Sequence, residues 1–403
     1  MYDIAHRKSQ KRVFIRDAAG LVRNKEVKVE LKRHEFLFGA GAFDILALEN
    51  APEEMRDKFA ARVDLWKDVF NYGTLPFYWG RYEPEEGHTG KEGMIRAVDR
   101  MLALGAAAKG HPLCWHTVCA DWLMKYPIEV IMQKQLDRIS REVGDFKGRL
   151  GYWDVINETV IMPVFDKYDN AVTRLCNYYG RIPLIKAVFD AAKAADPDAV
   201  LLINDFNTSE EYAHVIEQCL DAGVPIDVIG IQSHQHQGYW GREKLETVLA
   251  RFERFGLPIH FTENTLISGE LMPPEIEDLN DYHNDNWVST PEYEERQRAQ
   301  TEEMYRILFS HPLVKAITAW DFSDGMWLGA PSGLIRRDST PKPVYHMLKD
   351  LIHGEWSTSY TAKTDDSGSF ALEGFRGTYD ITVGDKTVTV VNDGSGEECA
   401  LTL

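Results

Sequence analysis

Eight apolar runs punctuate the chain, at 35–43, 69–79, 106–116, 151–159, 199–207, 226–234, 257–265 and 314–322. Between them lie segments whose apolar positions recur with a period near 3.6, the mark of an amphipathic helix. "EEMRDKFAARVDLWKDVF" and "EYAHVIEQCLDAG" are two of these, and the second stops at a glycine, as does the last, "PVYHMLKDLIHG". Runs alternating with helical patterns predict a parallel sheet, and eight repeats predict that it closes into a (β/α)8 barrel of the TIM type, class α/β, over 35–353. An open doubly wound sheet is the alternative. It calls for a glycine-rich phosphate turn after the first strand, and "FGAGAF" lacks both the third glycine and the helix start of that fingerprint.

Three segments depart from this rhythm. Residues 12–32 alternate with period two around "DAAG", so 1–34 is expected to form a small β-hairpin extension. Residues 356–403 also alternate with period two between Gly/Asp turns, which predicts a small β-sandwich-like module that packs separately and stays out of the active site. Deleting it is expected to cost stability or solubility and to leave turnover of a small substrate nearly unchanged. Between the seventh and eighth runs, "LISGELMPPEIEDLNDYHNDNWVSTPEYEE" is long, polar and proline-containing, and reads as an active-site loop.

The strand ends carry the chemistry, because in such a barrel the C-terminal ends form the active face. The third run ends on Trp115-His116, the fourth on Asn157-Glu158 and the fifth on Asn204-Asp205-Phe206-Asn207. The sixth ends on Gln232-Ser233-His234, the seventh on Glu263-Asn264 and the eighth near Trp320-Asp321. Glu158 and Glu263 stand on roughly opposed strands. Two carboxylates across one pocket are the minimum for glycoside hydrolysis: one protonates the leaving oxygen, and the other attacks the anomeric carbon or activates water. Tryptophans 122, 320 and 327 on the rim suit the apolar face of a pyranose, whereas Trp115 and Trp66 read as core filler. His234-Gln235-His236 has the spacing of a metal pair but lies on the sixth run. A hydrogen bond from His234 that holds Glu263 oriented and ionised is the preferred reading. No metal and no cofactor are expected.

Composition narrows the partners. A net charge of −18 repels nucleic acid, anionic membranes and acidic polysaccharides, so a neutral glycan is the expected partner. The sequence has no run of transmembrane length. Five scattered cysteines match no zinc pattern and read as free, buried thiols. "MYDIAHRKSQKR" has no signal-peptide core, which predicts a cytoplasmic protein as the sequence stands, or a secreted one if the N-terminus was trimmed.

Taken together, these segments resemble glycoside hydrolase family 10, the endo-β-1,4-xylanases, over roughly residues 35–353. "WDVINE" resembles the family's acid/base motif, implying Glu158 as general acid and then base, with Asn157 on the sugar 2-hydroxyl. "FTEN" resembles the nucleophile motif, implying Glu263. "KGHPLCWHTVCADWL" implies His116 and Trp122 at the glycone site nearest the scissile bond. "GIQSH" implies Gln232 and His234, "ITAWDFSDGMW" implies Trp320 and Trp327 as a lid, and "GLIRRDSTPKPVYHML" matches the closing helix. The resemblance implies retention of configuration, chemistry without a metal, and xylan or xylooligosaccharides as substrate. A different or decorated β-glycan, or a glycoconjugate, remains an alternative. So do a non-catalytic carbohydrate-binding barrel and a metal-dependent hydrolase.

The chain also departs from the family. After the second strand, where the family carries Glu-Asn and then Lys, it reads "TLPFYWGRYEPEEG", of which only Glu83-Pro84 is familiar. Thr265 stands where Asp is usual, and Phe206 where Tyr is usual. Phe77, Tyr78, Trp79, Arg81 and Tyr82 are expected to narrow or reshape the second glycone site, with Arg81 as the candidate replacement for the Lys. Short or decorated substrates are then favoured over plain polymeric xylan.

Overall fold

The computed structural model of the protein describes residues 2–396 and 398–403. Three strands come first, β1 (Lys8–Asp17), β2 (Gly20–Leu21) and β3 (Glu26–His34). Eight more follow in step with the eight apolar runs: β4 (Leu37–Gly41), β5 (Tyr72–Pro76), β6 (Ala107–His111), β7 (Tyr152–Asn157), β8 (Val200–Asp205), β9 (Val228–His234), β10 (Ile259–Thr265) and β11 (Val314–Ala319). They close in the order β10-β11-β4-β5-β6-β7-β8-β9, and every pair is parallel. Such strands are covered on both faces, which is why they read as near-continuous apolar runs rather than alternating ones. The runs are longer than the strands because the excess forms the loops of the active face.

The helices between the strands follow the predicted stops. Helix Glu210–Asp221 ends before Gly223, whose φ of 69° only glycine adopts without strain. Helix Pro291–Ser310 opens at Thr290, whose hydroxyl accepts from the Tyr293 amide, with proline in the first turn. The closing helix differs: Pro343–Asp350 is α-helical, and the chain continues as a π turn over Leu351–Glu355, so Gly354 is not its stop. Among the described residues no helix is long and apolar enough to cross a membrane. All five cysteines are free thiols, and Cys114, Cys176 and Cys219 are buried.

The terminal segments do not form two separate pieces. Strands β12 (Ser359–Lys363), β13 (Ser369–Phe375), β14 (Gly377–Val383), β15 (Lys386–Asn392) and β16 (Cys399–Thr402) interleave with those of the N-terminus. One sheet runs β13-β1-β16 with β2 beside β1, and the other runs β12-β3-β14-β15. Val13, Ile15, Val27 and Val29 from the N-terminus and Leu372, Tyr379 and Ile381 from the C-terminus fill the space between them. This sandwich is seated on the barrel. Arg7 donates to the carbonyls of Phe309, His311 and Val314, and Trp356 stacks on Phe309 with ring centroids 4.0 Å apart. The expected separate C-terminal module is therefore corrected to a two-ended sandwich, because each set of strands supplies the partners and the apolar face that the other lacks.

Candidate active site

Strands β7 and β10 both lose their regular register just before a glutamate. On β7 the pairing with β8 slips between Asp154 and Ile156, and on β10 the pairing with β9 slips between Phe261 and Glu263. A bulge bends a strand and redirects the next side chain. At the end of β7 the backbone turns further: Glu158 has φ 57°, a left-handed conformation costly for a residue with a Cβ. The surroundings hold it there. The Glu158 amide donates to the Asn204 carbonyl at 2.8 Å, and the Thr159 hydroxyl and Val160 amide both donate to Asp205 Oδ2 at 3.0 Å. The apolar strand thus breaks on a carboxylate because the pocket begins at that point.

A continuous set of amides joins the two glutamates. Gln232 Nε2 lies 3.4 Å from Glu158 Oε1 and 3.1 Å from Asn157 Oδ1, and Asn157 Nδ2 lies 3.3 Å from Glu158 Oε1. Asn204 Nδ2 donates both to Asn157 Oδ1 and to Glu263 Oε1, each at 2.8 Å, and its own Oδ1 accepts from the Thr262 hydroxyl at 2.7 Å. Gly230 makes room for this amide, since a Cβ there would lie 2.5 Å from Asn204 Oδ1. His234 Nε2 is 3.1 Å from Glu263 Oε2, and His111 Nδ1 is 3.8 Å from Glu263 Oε1.

The electrostatics separate the two carboxyls. Burial pushes Glu158 up to about 8; the Trp115 indole, donating at 2.8 Å, pulls the other way, while Asp205 and Glu263 add to the rise. Burial alone would raise Glu263 as well. The pull of His111, the hydrogen bond from His234 and the charge of Lys109 outweigh it, and Glu263 lies below the usual carboxylate value. The fully buried Lys109 ammonium is 2.6 Å from Asp154 Oδ2, which also holds His111 Nδ1 at 2.7 Å. His111, Asp154 and Glu263 present ligand atoms within 4.8 Å of one another, in the manner of a metal site, but Lys109 already supplies a positive charge at that cluster. His234 and His236 are each turned to the Thr265 hydroxyl, with ring centroids 6.2 Å apart.

Aromatic rings wall the pocket. Trp320 meets His111 and His234 edge-on at 5.3 and 6.1 Å, and Trp327 lies 4.5 Å from the His234 ring. His116 is buried beside Phe165, with Nε2 3.6 Å from Glu158 Oε2, and burial lowers its pKa to about 4. Of the expected residues, His116, Asn157, Glu158, Gln232, His234, Glu263, Trp320 and Trp327 are thus joined by these contacts. Trp122 instead donates to the Glu83 carbonyl at 2.9 Å and packs edge-on to Trp79. Arg81 is exposed, its guanidinium 5.6 Å from the centre of the Tyr78 ring.

Two sequence readings change. Trp115 is not core filler, since its indole is a hydrogen-bond donor to Glu158. The second-strand aromatics divide. Phe77 packs on Phe146 and Trp153, Trp79 donates to Glu83 at 3.0 Å, and Tyr82 lies against Phe77, all beneath the rim. Tyr78 alone enters the pocket, beside His111 and Trp115, where burial and the charge of Glu263 push its phenol well up. The sequence reading also missed Lys109, His111, Asp154 and Asn204. A signal was present: a lysine and an aspartate inside otherwise apolar strands, "AAKGH" and "YWDVIN", each require a buried partner.

Comparisons with known proteins agree with this geometry. Endo-1,4-beta-xylanase B of Thermotoga neapolitana is 28% identical over 294 residues, 68% of this chain and 78% of that protein. The endo-1,4-beta-xylanase/feruloyl esterase of Xylanibacter ruminicola is 28% identical over 304 residues, 67% of this chain, and the match spans 40% of that protein's length. Xylanase 10B from Thermotoga petrophila, solved in complex with xylobiose, superposes with a TM-score of 0.65 at 24% identity, covering 80% of this chain and 95% of that one; this likeness speaks for the fold. The sequence profile of glycosyl hydrolase family 10 matches residues 66–351, most of the chain. The protein belongs to glycosyl hydrolase family 10 and is a retaining glycoside hydrolase.

Proposed function

We propose that the protein cleaves β-1,4-linked xylose chains by double displacement, with Glu263 as nucleophile and Glu158 as acid/base. The observation that carries the assignment is the opposite state of the two carboxyls. Near neutral pH Glu158, raised to about 8, holds its proton, and Glu263, lowered, is ionised. Pairs of titratable groups pushed apart by their surroundings take the acid and base roles. In the first step Glu263 attacks the anomeric carbon while Glu158 gives its proton to the leaving oxygen. In the second, Glu158, now ionised, takes a proton from water, which attacks the glycosyl-enzyme and frees Glu263. The amide of Asn157 faces the sugar 2-hydroxyl, and His116, Gln232, Trp320 and Trp327 bind the ring. The names of the relatives and the xylobiose complex of a structural neighbour support xylan or xylooligosaccharides as substrate. The uncharged chain also suits a protein of net charge −18.

Two variants test this. Glu263→Ala should lower turnover of any β-xyloside by at least about 10³-fold, the loss expected for a nucleophile. Glu158→Ala should lose hydrolysis of xylan but keep the first step on an aryl glycoside whose leaving group needs no acid. Full activity in Glu263→Ala, or equal losses on both substrates in Glu158→Ala, would overturn the assignment.

A further inference from the structure

Residues 266–290, between β10 and helix Pro291–Ser310, do more than border the site. They form a small apolar core of their own, in which Ile267, Met272 and Trp287 pack against Leu328 and Ala330 of the loop after β11. Their base is tied down on the strands beside Glu263: the Met272 amide donates to the His236 carbonyl at 2.9 Å, and Gln237 Nε2 donates to the carbonyls of Pro273 and Ile276 at 3.0 and 2.7 Å. The short turn Leu279–Asp281 then reaches over the pocket. Trp327, which lies on the His234 ring, donates from Nε1 to Asn280 at 3.2 Å. Asp278 comes near enough to the buried His116 for its charge to act on that ring. On the far side Lys167, in the loop that follows β7 and Glu158, pairs with Asp278 at 2.6 Å and with Asp281 at 2.7 Å.

Strands β7 and β10 lie three places apart in the eight-stranded barrel, so a connection between their loops crosses the active face. To one side stand the ends of β4 to β6, with Tyr78; to the other stands the end of β8, with the exposed ring of Phe206. A sugar chain that meets both glutamates and spans these two sides passes beneath the crossing.

We infer that residues 278–281, latched by Lys167, roof the groove, so that chains enter end first and internal cleavage of a long polymer waits for the latch to open. This deepens, and rests on, the xylan reading above. The latch is built to open: its ion pairs join side chains 39%, 35% and 63% exposed, and such pairs hold weakly and yield to salt.

The test compares the full-length protein with Lys167→Ala and Lys167→Glu. The second variant sets a third carboxylate against Asp278 and Asp281. Three rates are read: turnover of an aryl β-xylobioside, release of reducing ends from linear xylan, and loss of viscosity of that xylan. Aryl turnover should hold in all three proteins. The viscosity loss per reducing end should rise by about two- to fivefold in Lys167→Ala, the span of a surface ion pair, and further in Lys167→Glu. Aryl turnover with the same viscosity ratio in all three would overturn the roof and leave the xylan reading standing. Absence of turnover on both xylan and the xylobioside in every variant would overturn the xylan reading, and the inference about chain entry with it.

Discussion

Glu158 sits in a pocket that penalises its charge, and one indole opposes that penalty. The folded protein therefore keeps the acid protonated until about pH 8, and activity that needs the acid should decline above that value. On the acid side, the limb belongs to ionisation of Glu263 and falls below the ordinary carboxylate range. Because the two carboxyls interact, both limbs describe the pair. Trp115→Phe removes the donor that favours the ionised form of Glu158. It should move the alkaline limb up by about one unit, the equivalent of one charge-assisted hydrogen bond. A pH–rate profile of kcat/KM on xylooligosaccharides checks this, and a limb that stays in place or moves down contradicts it. Trp115 shows what residue types alone leave open. A tryptophan in an apolar run is core filler or a donor according to which way its indole points, and direction depends on a neighbour, here Glu158, 43 positions away.

At the scale of elements, most of the site was written into the strand ends: run after run stops on polar residues, and the structure gathers eight of those expected into one pocket. The second strand was harder to read, although its alternation held the answer. Phe77 and Trp79 share one face and Tyr78 takes the other, so the aromatics fill the core and the pocket by turns. The expected reshaping of the second glycone site accordingly rests on Tyr78 alone. With its ring between Trp115 and His111, Tyr78 occupies space that a further sugar would need. Tyr78→Ala should raise efficiency on linear xylan relative to short xylooligosaccharides several-fold. If both efficiencies fall together, the ring is a stacking platform and the account of this strand fails. The bulges on β7 and β10 left no mark in the sequence, because a bulge is a property of pairing between strands.

For the molecule as a whole, the two ends of the chain are a single structure. Strand β1 pairs with β13 and β16, and β3 with β12 and β14, contacts that span more than 300 positions and lie beyond the reach of any local pattern. The barrel, by contrast, repeats a local rhythm eight times and was legible for that reason. The consequence for truncation changes with the fold. Removing residues 356–403 strips β1 and β3 of their partners and exposes Val13, Ile15, Val27 and Val29, each worth about 1.5–3 kcal/mol when buried. It also takes Trp356 from the Phe309 ring under the barrel. The truncated chain should therefore be insoluble, or melt at least about 10 °C lower, which far exceeds the effect of trimming an independent module. Calorimetry of the soluble fraction decides it, and an unchanged melting temperature would contradict the shared sandwich.

The assignment of Glu263 and Glu158 is tested most directly by trapping. Glu158→Ala enzyme mixed with an aryl β-xylobioside bearing a good leaving group forms the glycosyl-enzyme but lacks the base for its hydrolysis, so the intermediate should accumulate. Mass spectrometry of the digested protein should then find one xylobiosyl unit on the peptide that contains Glu263. A sugar attached to any other residue, or turnover with no adduct and a product of inverted anomeric configuration, would contradict the account.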